Sequence, residues 1–234
     1  MMTRRSTRGT ARLRILAALL LVVIVAAMFG WWHLRHWRPD RARYPMQGVE
    51  IGAEDGQVNW RGLKAVGADF AYIDASASAF ARDPAFGDNL QQARVAGLKV
   101  GAVHRYDPCQ PADRQAANFV TVVPRDANLL PPAVELSILT DDCPVKVSDA
   151  SVESELTTFL NQVETHTGKP AILKLTEAFE DRFAVAARVD RNLWLARDRF
   201  QPDYAGRPWT LWTANEAFHH DVVVRPLRWI VVQP

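Results

Sequence analysis

Eighteen consecutive residues, from Ile15 to Trp32, read ILAALLLVVIVAAMFGWW without one charge. A chain with such a run must place it in a bilayer, lose it by cleavage or wrap it in protein. Eighteen apolar residues are about the minimum that crosses a hydrocarbon core as a helix. A secretory signal has a shorter apolar region, and Ala26-Ala27-Met28-Phe29-Gly30 offers no clean small-x-small site ahead of the tryptophans. A buried soluble helix would have to be apolar all round and run at once into a basic, proline-containing stretch. The run therefore reads as a transmembrane anchor over residues 15–32. Arg4, Arg5, Arg8, Arg12 and Arg14 precede it, and Trp31 and Trp32 close it where an aromatic belt would sit. The positive-inside tendency then predicts a single-pass protein of the inner (cytoplasmic) membrane, with residues 1–14 cytoplasmic and its domain on the periplasmic or extracellular side. Arg35, Arg38, Arg41 and Arg43 on the far flank reduce that asymmetry.

The same arginines decide how the net charge of +2 is read. The nine arginines before the globular part, set against Asp40 alone, exceed the whole of that charge, so the remainder is acidic. An acidic body has no basic face with which to neutralise phosphates, which sets nucleic acid aside as a partner. Residues 33–44 are Arg-rich with a Pro and no apolar periodicity, and predict a juxtamembrane linker. Residues 45–234 are then one domain, long enough to bury a full core.

Within that domain short apolar runs alternate with amphipathic stretches. Gly48 to Ile51, Phe70 to Ile73, Lys99 to His104, Ala133 to Ile138, Ala171 to Leu175, Trp209 to Trp212 and Trp229 to Val232 read as strands. Asn59 to Val66, Ala85 to Ala96, Ala112 to Val122 and Val152 to Thr165 read as helices. Strand-then-helix order predicts an α/β fold with a parallel sheet, open or closed. Gly97 and Gly168 stand where helices end in the left-handed conformation before the next strand opens. No Gly-rich phosphate loop follows any strand, and no cofactor is expected. His219-His220-Asp221 lacks any metal-ligand spacing and reads as a surface loop, so no metal is expected either. Asp141-Asp142 reads as a turn beside Cys143. Cys109 and Cys143 are the two cysteines. They are either two buried thiols or, in an oxidising compartment, a disulfide closing a loop of about thirty residues.

In order along the chain stand Gly48-Val49-Glu50-Ile51, Asn59-Trp60, Phe70-Ala71-Tyr72-Ile73, Ala96 to His104, Leu130-Pro131-Pro132-Ala133-Val134-Glu135-Leu136 and Trp209-Thr210-Leu211-Trp212. Together these landmarks resemble the family 25 glycoside hydrolases, the lysozyme-type muramidases, over nearly everything from Tyr44 to Val232. The resemblance implies an irregular (β/α) barrel with its site at the C-terminal ends of the strands. It also implies peptidoglycan glycan strands as the partner, and it strengthens the pairing of Cys109 with Cys143, since a subset of these enzymes carries a cysteine pair there.

Glycoside hydrolysis needs a carboxylic acid to protonate the leaving oxygen and negative charge or an activated water opposite it. The family pattern for this after Pro-Pro is Asp-x-Glu, and this chain has Glu135-Leu136-Ser137. Ser137 thus stands where the general acid belongs, and a hydroxyl cannot donate a proton near neutral pH as a tuned carboxylic acid can. The first-strand Gly-Ile-Asp-Val-Ser becomes Gly48-Val49-Glu50-Ile51-Gly52, the Lys-Ala-Thr-Glu-Gly becomes Asp74-Ala75-Ser76-Ala77-Ser78, and Arg228 replaces an acid near the end. The resemblance places Tyr72, His104, Tyr106, Trp194 and Trp212 where groove residues would meet sugar. The reading is a muramidase-like domain that acts on or binds peptidoglycan, its glycosidase activity lost or strongly reduced. The alternatives are an active N-acetylmuramidase using Glu50 and Glu135, and a non-enzymatic envelope scaffold.

Overall fold

The computed structural model describes residues 7–141 and 143–234. Arg4, Arg5 and Asp142 lie outside the described residues, as do the side chains of Arg8 and Arg12. The chain divides into two units, Met1–Trp37 and Arg38–Pro234. The first is built on one helix, α1 (Thr7–Arg35). Its stretch Leu13–Arg35, 23 residues containing an 18-residue window of mean hydropathy 2.6, is long and apolar enough to cross a membrane. At 1.5 Å per residue it spans about 35 Å, against about 30 Å of hydrocarbon. The helix runs on past Trp32, and the Arg35 guanidinium lies 4.2 Å over the Trp31 ring one turn back.

The second unit is built from β1 (Gln47–Ile51), β2 (Phe70–Ala77), β3 (Ala81–Arg82), β4 (Lys99–Arg105), β5 (Ala133–Leu136), β6 (Ile172–Leu175), β7 (Asn192–Ala196), β8 (Leu211–Phe218) and β9 (Leu227–Val232). Its helices are α2 (Trp60–Ala65), α3 (Phe86–Val95), α4 (Ala112–Val122), α5 (Asp149–Thr167), α6 (Glu177–Phe183) and α7 (Val185–Arg188). Strands pair in the order β1-β2-β4-β5-β6-β7-β8-β9, and β9 returns to β1, which closes an eight-stranded barrel. All these pairings are parallel except the two made by β9, while β3 is a short antiparallel flap on β2. The predicted mixed α/β barrel is the fold found.

Strand after strand is buried on both faces, the state in which parallel strands read as near-continuous apolar runs. Inward, Phe70, Tyr72, Val103, Ala133, Ile172, Trp194, Leu211 and Ile230 pack into one layer. Burying each large side chain of that layer contributes roughly 1.5–3 kcal/mol. Outward, α5 buries Val152, Leu156, Phe159, Leu160 and Val163, a stripe at helical spacing. Ser148 caps α5 by accepting from the Ser151 N–H at 3.1 Å, and Gly168, at φ +70°, ends it. The C-terminal reading of Gly168 thus holds, with the reason that a left-handed residue lets the chain reverse into β6.

The segment 38–44, which the sequence reading gives to a linker, is anchored within the second unit. The guanidinium groups of Arg38 and Arg41 donate to the carbonyls of Val66 and Gly67, at the C-terminal end of α2 where backbone acceptors are left over. Arg41 also pairs with Asp69 at 2.7 Å, and Tyr44 is buried beside Trp209 and Trp212. A basic stretch reads as solvated charge in a sequence, because nothing in it announces unsatisfied carbonyls far along the chain. Cys109 and Cys143 are joined by a disulfide with their Cα atoms 5.2 Å apart. It ties the loop after β4 to the loop after β5.

Candidate active site

Alternate residues of a strand share a face. Two residues beyond the apolar layer, toward the C-terminal ends of the parallel strands, that inward face turns to charge. Asp74 follows Tyr72, Arg105 follows Val103, Glu135 follows Ala133 and Lys174 follows Ile172, each at i+2. On β9, which runs the other way, Arg228 precedes Ile230 by two, and Glu50 pairs with it across the β1–β9 ladder. Parallel register sets Arg105 beside Glu135 and Glu135 beside Lys174. Neighbouring strands are about 4.8 Å apart, so these side chains meet without any loop having to fold over them.

Lys174 is the centre of the layer. Its Nζ donates to Glu135 Oε2 at 2.9 Å and to Glu50 Oε1, and lies 5.0 Å over the Trp194 ring. On the far side of Glu135, Arg105 Nε donates to Oε1 at 3.0 Å and the Ser137 hydroxyl donates to the same oxygen at 2.8 Å. Arg228 Nε faces Glu50 Oε2 at 3.4 Å, a charge contact without an aligned hydrogen bond. The Arg228 terminal nitrogens reach Glu54 at 3.2 Å, Asp55 at 3.3 Å and Asp74 at 4.0 Å. Gly52 makes room at the rim, since a Cβ there would stand 2.6 Å from Asp74 Oδ2.

Burial and charge act on these groups in opposite senses. Burial disfavours the Glu135 carboxylate, but Lys174 and Arg105, with hydrogen bonds from Lys174 and Ser137, outweigh it and hold the group down at about 2. Lys174 is desolvated too, yet Glu50 and Glu135 push it above the ordinary lysine range, so its ammonium persists. Asp74 goes the other way. Burial first, then the neighbouring Glu50, raise it to about 7 against the pull of Arg228 and Lys174.

That raised acid has a consequence for stability. A carboxyl raised in the fold supports the folded state fully only below its ordinary value of 3.8, and the support is lost as the pH climbs through about 7. Asp74→Asn removes the titration. Melting of the full chain in detergent is expected to occur about 5 °C higher for Asp74→Asn than for the wild type at pH 9, the two converging near pH 3. Equal melting temperatures at pH 9 would show that the carboxyl is not strained by its surroundings.

The structure brings Glu50, Glu135 and Ser137 together. Two hydrogen bonds to the single Lys174 nitrogen put an oxygen of Glu50 and one of Glu135 within about 6 Å of each other. Separation alone would let them flank a glycosidic bond in the retaining geometry, but the Lys174 ammonium fills the gap. The five residues expected to meet sugar are all buried. Tyr72 lies in the inward apolar layer and its hydroxyl donates to the Pro131 carbonyl at 3.1 Å. Trp194 is beside it, its indole donating to Thr213 Oγ1 at 2.8 Å. His104 points outward, 2.8 Å from Ser76 Oγ and stacked on Phe159 of α5, where burial lowers it to about 4. Tyr106 also packs on Phe159, and Trp212 packs on Tyr44 and Trp209. His219, His220 and Asp221 lie in the loop between β8 and β9.

The sequence reading did not single out Lys174 or Arg105. A signal existed: Ile172-Leu173-Lys174-Leu175 places one charge inside a buried strand, at the spacing that shares a face with Ile172.

The family model described as "Glycosyl hydrolases family 25" matches residues 49–220. The protein YegX of Escherichia coli K12 is 24% identical over 193 residues, covering 80% of this chain and 69% of that protein. Among solved structures, a family 25 glycosyl hydrolase from Bacillus anthracis is similar with a TM-score of 0.76 and 24% identity, over 86% of this chain and 93% of that one. A bacterial lysozyme from Streptomyces coelicolor gives a TM-score of 0.71 at 20% identity, over 81% and 92%. At these identities the structural likeness speaks for the barrel, and the chemistry rests on the residues in it.

Proposed function

This chain belongs to glycosyl hydrolase family 25, and from that premise we propose a membrane-tethered, lysozyme-like domain that binds peptidoglycan glycan strands with little or no glycosidase activity. The observation that carries the reading is Lys174 bonded to both Glu50 and Glu135. A glycosidase needs one carboxyl protonated and the other free to face the sugar. Here Glu135 is held at about 2, so it carries no proton near neutral pH, and Ser137 spends its hydroxyl on Glu135. The fold, and its likeness to a family 25 glycosyl hydrolase and a bacterial lysozyme, support a cell-wall glycan as the partner. We place residues 15–32 in the inner membrane, residues 1–14 on the cytoplasmic side and the barrel on the outer side, on the strength of the α1 helix and its flanking arginines.

Purified sacculi incubated with the full chain in detergent test this directly. The expected result is co-sedimentation with no release of reducing ends above background. Lysis that Glu135→Gln abolishes would overturn the reading in favour of an active muramidase, and absence of sedimentation would overturn it in favour of an envelope scaffold.

A further inference from the structure

The second unit is acidic in total, since only six of the chain's 28 Lys and Arg precede Arg38 while all 26 Asp and Glu follow it. The fold sorts that charge unevenly. At the N-terminal ends of the parallel strands, around the point where the chain enters the barrel, stand Arg38, Arg41, Arg43, Lys64, Arg94 and Lys99. The acids among them are Asp40, Asp69 and Asp126. An acidic total thus conceals a basic face, contrary to the sequence reading, because a sum over residues does not record which end of a strand each charge occupies.

The cations form one patch. Arg41 and Lys64 share Asp69, at 2.7 and 3.9 Å. The Asp69 carbonyl accepts from the Lys99 N–H at 3.2 Å, just before β2 and β4 begin to pair. Two residues ahead of Lys99, the Gly97 N–H donates to the Arg94 carbonyl at 2.9 Å, and the Arg94 side chain pairs with Asp126 at 2.6 Å. Spare carbonyls at the end of α2 account for Arg38 and Arg41. They do not account for Arg43 and Lys99, which are exposed and, among the described residues, pair with no acid. Met46, 41% exposed, adds an apolar tip next to Pro45, whose carbonyl Arg41 holds at 2.9 Å.

We infer that this patch is a docking surface for a lipid bilayer with anionic headgroups, and that it keeps the mouth of the barrel, at the opposite ends of the strands, facing away from the bilayer. The inference rests on the reading of residues 15–32 as an anchor. Arg35 ends α1 and Arg38 is already bonded to Val66, so the chain between them spans at most about 11 Å. Basic groups beside a membrane-spanning helix are attracted by anionic lipid within a screening length, about 8 Å at physiological salt. On the outer side of a membrane, the phosphates within that reach are those of the headgroups.

The test places the full chain in vesicles of phosphatidylcholine and in vesicles of an equal mixture of phosphatidylcholine and phosphatidylglycerol, and follows acylation of each lysine by a membrane-impermeant, amine-reactive reagent. Lys64 and Lys99 lie in the patch, and Lys146, exposed in the loop after β5 at the mouth end, is the internal control. One basic group near an anionic surface is worth about 1 kcal/mol, or about fivefold in an equilibrium. Acylation of Lys64 and Lys99 relative to Lys146 is therefore expected to slow about fivefold or more in the anionic vesicles, and to recover in 1 M salt, where the screening length is about 3 Å. Arg43→Glu, at an exposed turn position, is expected to remove most of that protection. Equal relative rates in the two kinds of vesicle, or protection that survives both high salt and Arg43→Glu, would overturn the docking surface, while flotation with neutral vesicles in alkaline carbonate would leave the anchor standing. Failure to float with neutral vesicles, together with salt-sensitive protection on anionic ones, would uphold the docking surface and reject the anchor.

Discussion

Replacing Lys174 by methionine is expected to destabilise the barrel by about 3–5 kcal/mol, the cost of stripping the partner from a buried ion cluster. Lys174 is the shared counter-charge of Glu50, whose side chain is 1% exposed, and Glu135, whose side chain is 11% exposed. Methionine keeps the volume and abandons both carboxylates in a place where water reaches them poorly. Urea unfolding of the full chain, followed by tryptophan fluorescence, measures this, since Trp194 lies directly beneath the ammonium. Adding Glu50→Gln and Glu135→Gln to Lys174→Met should recover most of the loss, because a neutral cluster of the same shape leaves no charge stranded. The pH dependence has a definite sign. Glu135 is depressed from 4.5 to about 2, so its contribution is present above the ordinary carboxylate range and disappears as the pH falls through about 2. The gap between wild type and Lys174→Met should therefore close in strong acid. A Lys174→Met protein within 1 kcal/mol of wild type, by the about 3–5 kcal/mol standard above, would remove the structural role claimed for the cluster.

Ser137→Glu is expected to raise the release of reducing ends from sacculi by about a hundredfold or more, the lower end of what a general acid contributes. Ser137 stands 2.8 Å from Glu135 Oε1, so a carboxyl introduced there sits against an ionised neighbour. Two acids in such contact cannot both ionise freely, and the introduced one keeps its proton to higher pH. That puts a carboxyl proton donor beside Glu135, where the wild-type chain has only the Ser137 hydroxyl. Lys174 still fills the gap between Glu50 and Glu135, which is why the lower end of the range is expected. A folded Ser137→Glu protein with no gain would mean that the missing donor is not what limits hydrolysis, and would direct attention to the ammonium between the acids.

The two predictions draw on residues that were unequally legible. Glu50, Glu135 and Ser137 were found as departures from a family pattern at fixed places along the chain, so order alone sufficed. Lys174 lies on a strand outside the compared landmarks and Arg105 one residue beyond the landmark that ends at His104, and their importance comes from parallel register, which sets each beside Glu135. Strand β7 was missed for a related reason. Leu193-Trp194-Leu195 is a short apolar run after a pair of small helices, too brief for its period to separate a strand from a buried turn. The aromatic residues illustrate the opposite error of inference. Tyr72 and Trp194 look like sugar-stacking rings by position, but their place one layer below the charges puts them in the apolar filling of the barrel.

Local chemistry written along the chain was enough for the apolar helix, for the alternation that makes a β/α barrel, for the glycines that end α3 and α5, and for the family to which the barrel belongs. Each depends on neighbours within a few residues, or on landmarks whose order survives substitution. The state of the mouth depends on something else. Whether Glu50 and Glu135 face an open groove or a lysine is set by which side chains eight strands bring to one level, and Lys174 is 124 residues from Glu50. The eighteen-residue run with which the chain is first read as a membrane protein needs no such closure, because a helix satisfies its backbone within itself.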